Sequence, residues 1–365
     1  MAGYESGGGV QLSRTVFILG AGASAGAGVP LLKDFLRTAD KVRTEQNKDL
    51  EDREFFDLVF RARQELTAIH SKAQLDLDNF EEIYSAFEMA SLIGRLGQLD
   101  EQNVRQLPLA MRRVISLTIE RSMRLPVTAR DNGGRVLPPK AYDAFVKAIA
   151  PLIQQKDVAL LTFNYDLALD YALYFYRVEF NYGFSNDNGL QLLKLHGSLN
   201  WGRCSSSSCK KISVWTLQEY FDQYRWPLLF DVDSVPLDMA SKLASRTHCG
   251  TTRLEKDPVL IPPTWNKGGF HRELDVVWTK AASHLADAEN IYVIGYSFPT
   301  SDQFFKYFFA VGSVGSGWID KVRLIDPDPT GEVEERFKSL LGPRGLARFS
   351  PIKSTFEKVA GQITG

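Results

Sequence analysis

Apolar residues follow two different periods along this chain. Short β-rich runs bounded by Gly, Asn, Asp or Pro occur at Thr15–Leu19, Val158–Phe163, Gln191–Leu195, Val259–Ile261, Ile291–Ile294 and Val322–Ile325. Runs this short and apolar read as strands. Between them apolar positions recur every three or four residues. Leu31, Leu32, Phe35 and Leu36 share one face of a helix predicted to begin at Pro30. The segments Glu54–Ile69, Asn79–Leu96, Asn103–Met123, Leu167–Tyr176, Glu273–Ala288 and Asp302–Ala310 repeat the pattern. Strands alternating with helices predict an α/β fold, a Rossmann-like parallel sheet with helices on both faces.

Two stretches break the alternation. Residues 37–150 read almost wholly as helix and separate the first strand from the second, so they form a helical insertion beside the sheet. Thr128–Pro139, with its Asn-Gly-Gly and Pro-Pro, is a loop. Residues 202–257 form a second, irregular insertion that holds Cys204, Cys209 and Cys249. Residues 1–14 are Gly- and Ser-rich with no basic segment before an apolar stretch, which predicts a disordered lead-in and not a signal peptide. Residues 15–365 then make one domain with two insertions.

Composition narrows the function classes. The chain has 365 residues, 44% of them hydrophobic, and a formal net charge of -1, as expected of an ordinary globular protein. Near-neutral charge removes the simplest argument for nucleic-acid binding. No apolar run reaches membrane-spanning length. Three cysteines are too few, and odd in number, for a disulfide framework, which fits a reducing compartment and predicts a cytoplasmic protein.

The candidate chemistry lies where the strand-like runs end. Gly20, Gly22 and Ala25 fit the G-x-G-x-x-G/A turn that lets a backbone approach a pyrophosphate. A small-residue strand-to-helix turn without ligand fits them too. The acid that ordinarily follows about twenty residues later at a second strand end is missing, so this is not a standard dehydrogenase unit. Asn164 follows VALLTF and offers two donors and an acceptor to a ribose hydroxyl or a water, or else begins an Asx-type turn, with Asp166 capping the next helix. His196 ends a third strand, and Gly197 beside it removes bulk where a ligand would approach. An imidazole is the usual proton acceptor near neutral pH. Gly295 and Ser297 follow IYVI, and Asp326 follows VRLI; each suits a phosphate or ribose contact, or an ordinary βα turn. Cys204, Cys209, His248 and Cys249 invite a zinc reading, but the loose first pair and four serines within it predict that no metal is held.

Six segments, GAGAS, TFNYD, KLHGSLNW, VLIPPTWNK, IYVIGYSFPTSD and LIDPDP, stand in an order that resembles the sirtuin (silent information regulator) superfamily, and most of all the bacterial sirtuin-like NADase effectors of antiviral defence. The resemblance covers Thr15–Leu36 and 159–328 and largely skips the helical insertion. It implies an NAD-binding domain. Asn164 would sit at the nicotinamide ribose and His196 would act as base on a ribose hydroxyl. Gly20, Ala21, Gly22, Ser24, Asp166, Gly295, Ser297 and Asp326 would hold the dinucleotide.

Two departures from protein-deacylating sirtuins favour water as the attacking group. The paired Cys-x-x-Cys motifs of their zinc module are missing, and no counterpart is found for the strand that pairs with an acyl-lysine peptide. The resemblance thus implies NAD as substrate, nicotinamide and ADP-ribose as products, no metal, a homo-oligomer, and a partner such as a HerA-like ATPase, an Argonaute or a phage protein. An NAD-dependent deacylase and a non-catalytic NAD or nucleotide sensor are the alternatives. A pure sensor has no need of the base His196.

Overall fold

A computed structural model describes residues 14–45, 52–69, 74–128, 134–185, 189–226, 232–262, 274–299, 302–315 and 318–363. Except for Arg14, the lead-in lies outside the described residues. In chain order the strands are β1 (Thr15–Leu19), β2 (Leu125–Pro126), β3 (Val158–Thr162), β4 (Phe180–Asn181), β5 (Leu190–Lys194), β6 (Gly197–Cys204), β7 (Ile212–Val214), β8 (Ser234–Val235), β9 (Leu254–Leu260), β10 (Asn290–Ile294), β11 (Lys321–Ile325) and β12 (Phe349–Ile352).

Seven strands form one sheet in the order β12-β11-β10-β1-β3-β5-β4, with every pairing parallel. β1 is central, Phe17 pairing with Tyr292 on one side and Leu160 on the other. Its five residues are all buried, which accounts for the unbroken apolar run. Phe17 meets Phe145 of the Lys140–Gln154 helix edge-on at 5.1 Å. Leu193 lies on the opposite face, by its register through Leu161 to Ile18, and there approaches the Asp275–Ala286 helix beside Gly183. Helices therefore cover both faces, as predicted. From β1 the chain builds outward through β3 to one edge and through β10 to the other. The switch point lies between β1 and β10, and ligands of such sheets bind at the carboxyl ends there.

Helix limits follow local chemistry. Asn79 Oδ1 accepts the amides of Glu81 and Glu82 to start the Phe80–Ile93 helix, and Gly94, at φ 72°, ends it. Asp100 caps Glu101–Ser122. These two pack with Phe35–Glu45 and Arg53–Ile69 into the helical insertion, whereas Lys140–Gln154 belongs to the sheet's own covering layer. None of the described helices is long and apolar enough to cross a membrane.

Several expectations need correcting. Val259–Ile261 is not a strand of the parallel sheet: Val259 and Leu260 end β9, which joins β6 and β7 in a separate antiparallel sheet. Residues 202–257, expected to be irregular, contain β7, β8 and a Leu217–Gln223 helix opened by a Thr216/Glu219 capping box. No helix begins at Pro30. Leu31 is extended, and the helix starts at Phe35 after a single 3-10 turn. β12 was missed because it is a partly exposed edge strand containing Ser350 and Pro351.

Candidate active site

The loops after five parallel strands converge on one cavity of about 680 Å³, within the range of small-molecule sites. Ala21 and Gly22 follow β1, Asn164 and Asp166 follow β3, His196 follows β5, Gly295 and Ser297 follow β10, and Asp326 follows β11; all line it. Gly20 and Ser24 do not. Ser24 is fully buried and acts one layer back, bonded to Asn164 and to Tyr142 Oη at 2.8 Å.

The glycines of the first turn serve backbone packing. Gly20 N–H donates to Ile294 O and Gly22 N–H to Gly295 O, at 2.9 and 2.8 Å. A Cβ on Gly22 would lie 2.7 Å from Gly295 Cα. Gly295 itself takes φ 57°, where a side chain is strained and would strike Gly22. These two amides are therefore spent on closing β1 against β10. The helix they open is one turn long, Ala21–Ser24.

Asn164 is held on three sides. Its backbone N–H donates to Thr162 Oγ1, and its Nδ2 donates to Gly20 O at 2.8 Å and Ser24 Oγ at 3.0 Å. What the amide offers the cavity is its oxygen, an acceptor. Asp166 Oδ1 accepts Ala168 N–H, the helix-start turn expected of it, while Oδ2 is buried without a hydrogen-bond partner among the described residues. Burial pushes this carboxyl up; Lys194 and the Ala168 amide oppose the rise. His196 is 8% exposed, edge-on to Phe163 at 4.9 Å and roughly parallel to Tyr165 at 6.2 Å. Phe163 in turn stacks on Tyr296 at 4.5 Å, so the His196 end of the cavity is aromatic.

A polar network supports these loops. Lys194, buried in β5, donates to Asp166 O at 2.6 Å and Asp170 Oδ2 at 3.0 Å. Tyr182 donates to Asp170 Oδ1, and Asn200 donates to Tyr182. Sequence reasoning missed this network, although a lysine inside the run QLLKL signals a buried anionic partner. It also missed the cavity's lysine and arginine, Lys33 and Arg336, and Glu81 of the helical insertion. At the far end, burial raises the Asp326 carboxyl, whose Oδ1 accepts the Asp328 amide.

The loose spacing of the cysteines along the chain does not describe their placement in space. Ligand atoms of Cys204, Cys209, His248 and Cys249 all lie within 4.8 Å of one another. Two turns bring them together: Cys204 ends β6 ahead of the 205–209 turn, and the Thr247–Arg253 turn supplies His248 and Cys249, joined by Ser205 N–H to Arg253 O. Counting spacing along the chain missed the pairing of β6 with β9. A convergent Cys3His set is one of the usual structural zinc sites. The Lys211 amide, then the Cys249 thiol, lowers the Cys209 thiol, while the Cys209 thiol in turn pushes Cys249 up to about 11.

No protein-family profile and no curated protein matches the chain. Solved structures do. A Sir2 homologue in complex with ADP-ribose is 16% identical, with 96% of this chain and 90% of that one covered at a TM-score of 0.36. Sir2Tm bound to a propionylated peptide is 14% identical, with 97% and 93% covered at 0.37. Sir2 with the inhibitor EX-527, 2'-O-acetyl-ADP-ribose and a deacetylated p53 peptide is 12% identical, with 96% and 92% covered at 0.37.

Proposed function

We propose that this chain is an NAD+ hydrolase that cleaves the nicotinamide–ribose bond to give nicotinamide and ADP-ribose. The observation that carries the reading is the convergence of five strand-end loops on one cavity, with Asn164, Asp166 and His196 together at its aromatic end. The helical insertion supplies Phe35, Phe80, Ile115 and Ile119 as an apolar wall, which limits the water that reaches the bond.

Departure of nicotinamide builds positive charge on the ribose, as in glycoside cleavage. The Asn164 oxygen, fixed by two N–H donations from its own amide, accepts from a ribose hydroxyl or the incoming water without reorganising. His196 acts as base on a ribose hydroxyl. Asp166, its carboxylate beside the Ser24 hydroxyl, takes the N–H of the nicotinamide carboxamide. Lys33 and Arg336 offset the pyrophosphate charge, and Asp326 takes the adenine-side ribose hydroxyls. Ala21, Gly22, Gly295 and Ser297 shape the floor between them. Cys204, Cys209, His248 and Cys249 would hold a structural zinc away from this chemistry.

In the cell the activity would deplete NAD in the cytoplasm during anti-phage defence, in a homo-oligomer working with a partner such as a HerA-like ATPase, an Argonaute or a phage protein. The motif resemblance supports that role. One observation favours a second reading, NAD-dependent deacylation: the Cys3His cluster forms after all, and its expected lack was an argument against a deacylase.

The test follows NAD, nicotinamide and ADP-ribose by chromatography, with and without an acetylated peptide. Hydrolysis predicts ADP-ribose without peptide, and no nicotinamide release from folded Asn164→Ala or His196→Ala protein. Near-normal turnover by folded His196→Ala sinks the mechanism, and turnover that requires the peptide transfers the assignment to the deacylase.

A further inference from the structure

The helical insertion brings into the cavity a carboxylate that none of the strand-end motifs supplies. Glu81 lies in the first turn of the Phe80–Ile93 helix, its amide donating to Asn79 Oδ1 at 3.0 Å. Phe80 beside it is buried against Phe35, with ring centroids 4.2 Å apart, so this turn is packed into the cavity wall. Glu81 itself is half-buried and lines the cavity. Its charge reaches two phenols at the His196 end. Tyr165 is raised by burial first, then by Tyr84 and Glu81, and Tyr296 by burial, Asp302 and then Glu81. Tyr165 lies parallel to His196, and Tyr296 reaches it through Phe163. Glu81 thus lines the same cavity as Asn164, Asp166 and His196.

We infer that Glu81 is the general base for the attacking water, a role that rests on the hydrolase reading. His196 is engaged on a ribose hydroxyl, and the Asn164 oxygen orients without taking a proton, so the proton of the attacking water needs another acceptor. In the step, the water oxygen bonds to C1′ of the ribose and the C1′–N bond breaks, its electron pair leaving with neutral nicotinamide. One water proton passes to the Glu81 carboxylate, which later releases it to solvent. NAD+ and water become nicotinamide, ADP-ribose and a proton, with no other reactant. A base reaching the cavity from the insertion equips this site for water, where a deacylase needs room for an acyl-lysine.

The experiment compares wild type, Glu81→Gln and Glu81→Gly, with Glu82→Gln as control, since Glu82 accepts the Asp76 amide outside the cavity. Each protein is first checked for an unchanged melting curve. A general base typically contributes 100-fold or more, so Glu81→Gln should lose about 100-fold in ADP-ribose formation while still incorporating labelled nicotinamide into NAD, because exchange needs no activated water. Formate, a small carboxylate, should restore hydrolysis to Glu81→Gly. Hydrolysis within about threefold of wild type in folded Glu81→Gln, or exchange and hydrolysis falling in parallel without formate rescue, overturns the role. A wild type that binds NAD but releases no nicotinamide overturns the hydrolase reading and this inference with it, whereas an active wild type beside an unaffected Glu81→Gln overturns this inference alone.

Discussion

At the scale of single residues, the groups that most shape this molecule are polar ones in dry surroundings. Asn164, Asp166 and Lys194 owe their positions to bonds with residues far away in sequence. Their types and strand-end places were readable, but their partners were not. Glu120 is the extreme case. It is fully buried and takes the Ser241 amide on both carboxylate oxygens, at 3.1 and 3.3 Å. Burial drives its pKa from 4.5 to about 7, while Ser241 and Arg121 oppose the rise and Asp238 adds to it. The folded state therefore binds this proton more tightly than the unfolded chain. The resulting stability is fully present below pH 4.5 and is lost as pH climbs through about 7. The span corresponds to a loss on the order of 3 kcal/mol. Glu120→Gln keeps the shape and an acceptor for Ser241 but cannot ionise, so urea unfolding should show a gentler fall between pH 5 and pH 8 and a more stable variant at pH 8. An identical fall in wild type and variant would show that Glu120 does not titrate in this window.

At the scale of elements, legibility tracked burial on both faces. β1, β3, β5, β10 and β11 were found within a residue or two because a strand inside a parallel sheet has no solvent face to interrupt its apolar run. β12 and β9 break that rule, one at an edge and one in a small antiparallel sheet, and each was missed or misplaced. Glu81 was hidden for another reason: it enters the cavity from a helix whose sequence shows only amphipathic spacing. The cysteines show the same limit, because the pairing of β6 with β9 determines the cluster and chain spacing does not. A structural zinc there would add to the hydrogen bonds that Ser205 N–H and Oγ already make to Arg253 O between the two turns. Elemental analysis of purified protein is expected to find about one zinc per chain. Cys204→Ser, altering the one buried ligand, should release the metal and lower Tm by roughly 5 °C or more. Metal-free protein with an unchanged melting curve would return the cluster to the unoccupied state first expected of it.

At the scale of the whole molecule, the helical insertion does two things at once. Through Phe80 and Glu81, the beginning of the Phe80–Ile93 helix closes the cavity. Its far end leaves Met89, Leu92 and Ile93 exposed, Leu92 by 74% and Ile93 by 59%. The two ends are about 20 Å apart along one rigid helix. Apolar side chains clustered at a helix end are a common feature of association surfaces, and a two-fold contact would set the same patch against itself. Packing that end against a second copy would fix the pose of the helix and, with it, the position of Glu81 over the strand-end loops. Assembly and turnover should then rise together. Light scattering at micromolar concentration is expected to show a homo-oligomer, with Leu92→Glu plus Ile93→Glu shifting it to monomer and lowering NAD turnover, and leaving the melting curve within a few degrees of wild type because both residues lie on the surface. A wild type that stays monomeric both alone and with its partner would instead make the insertion a plain extension of the core.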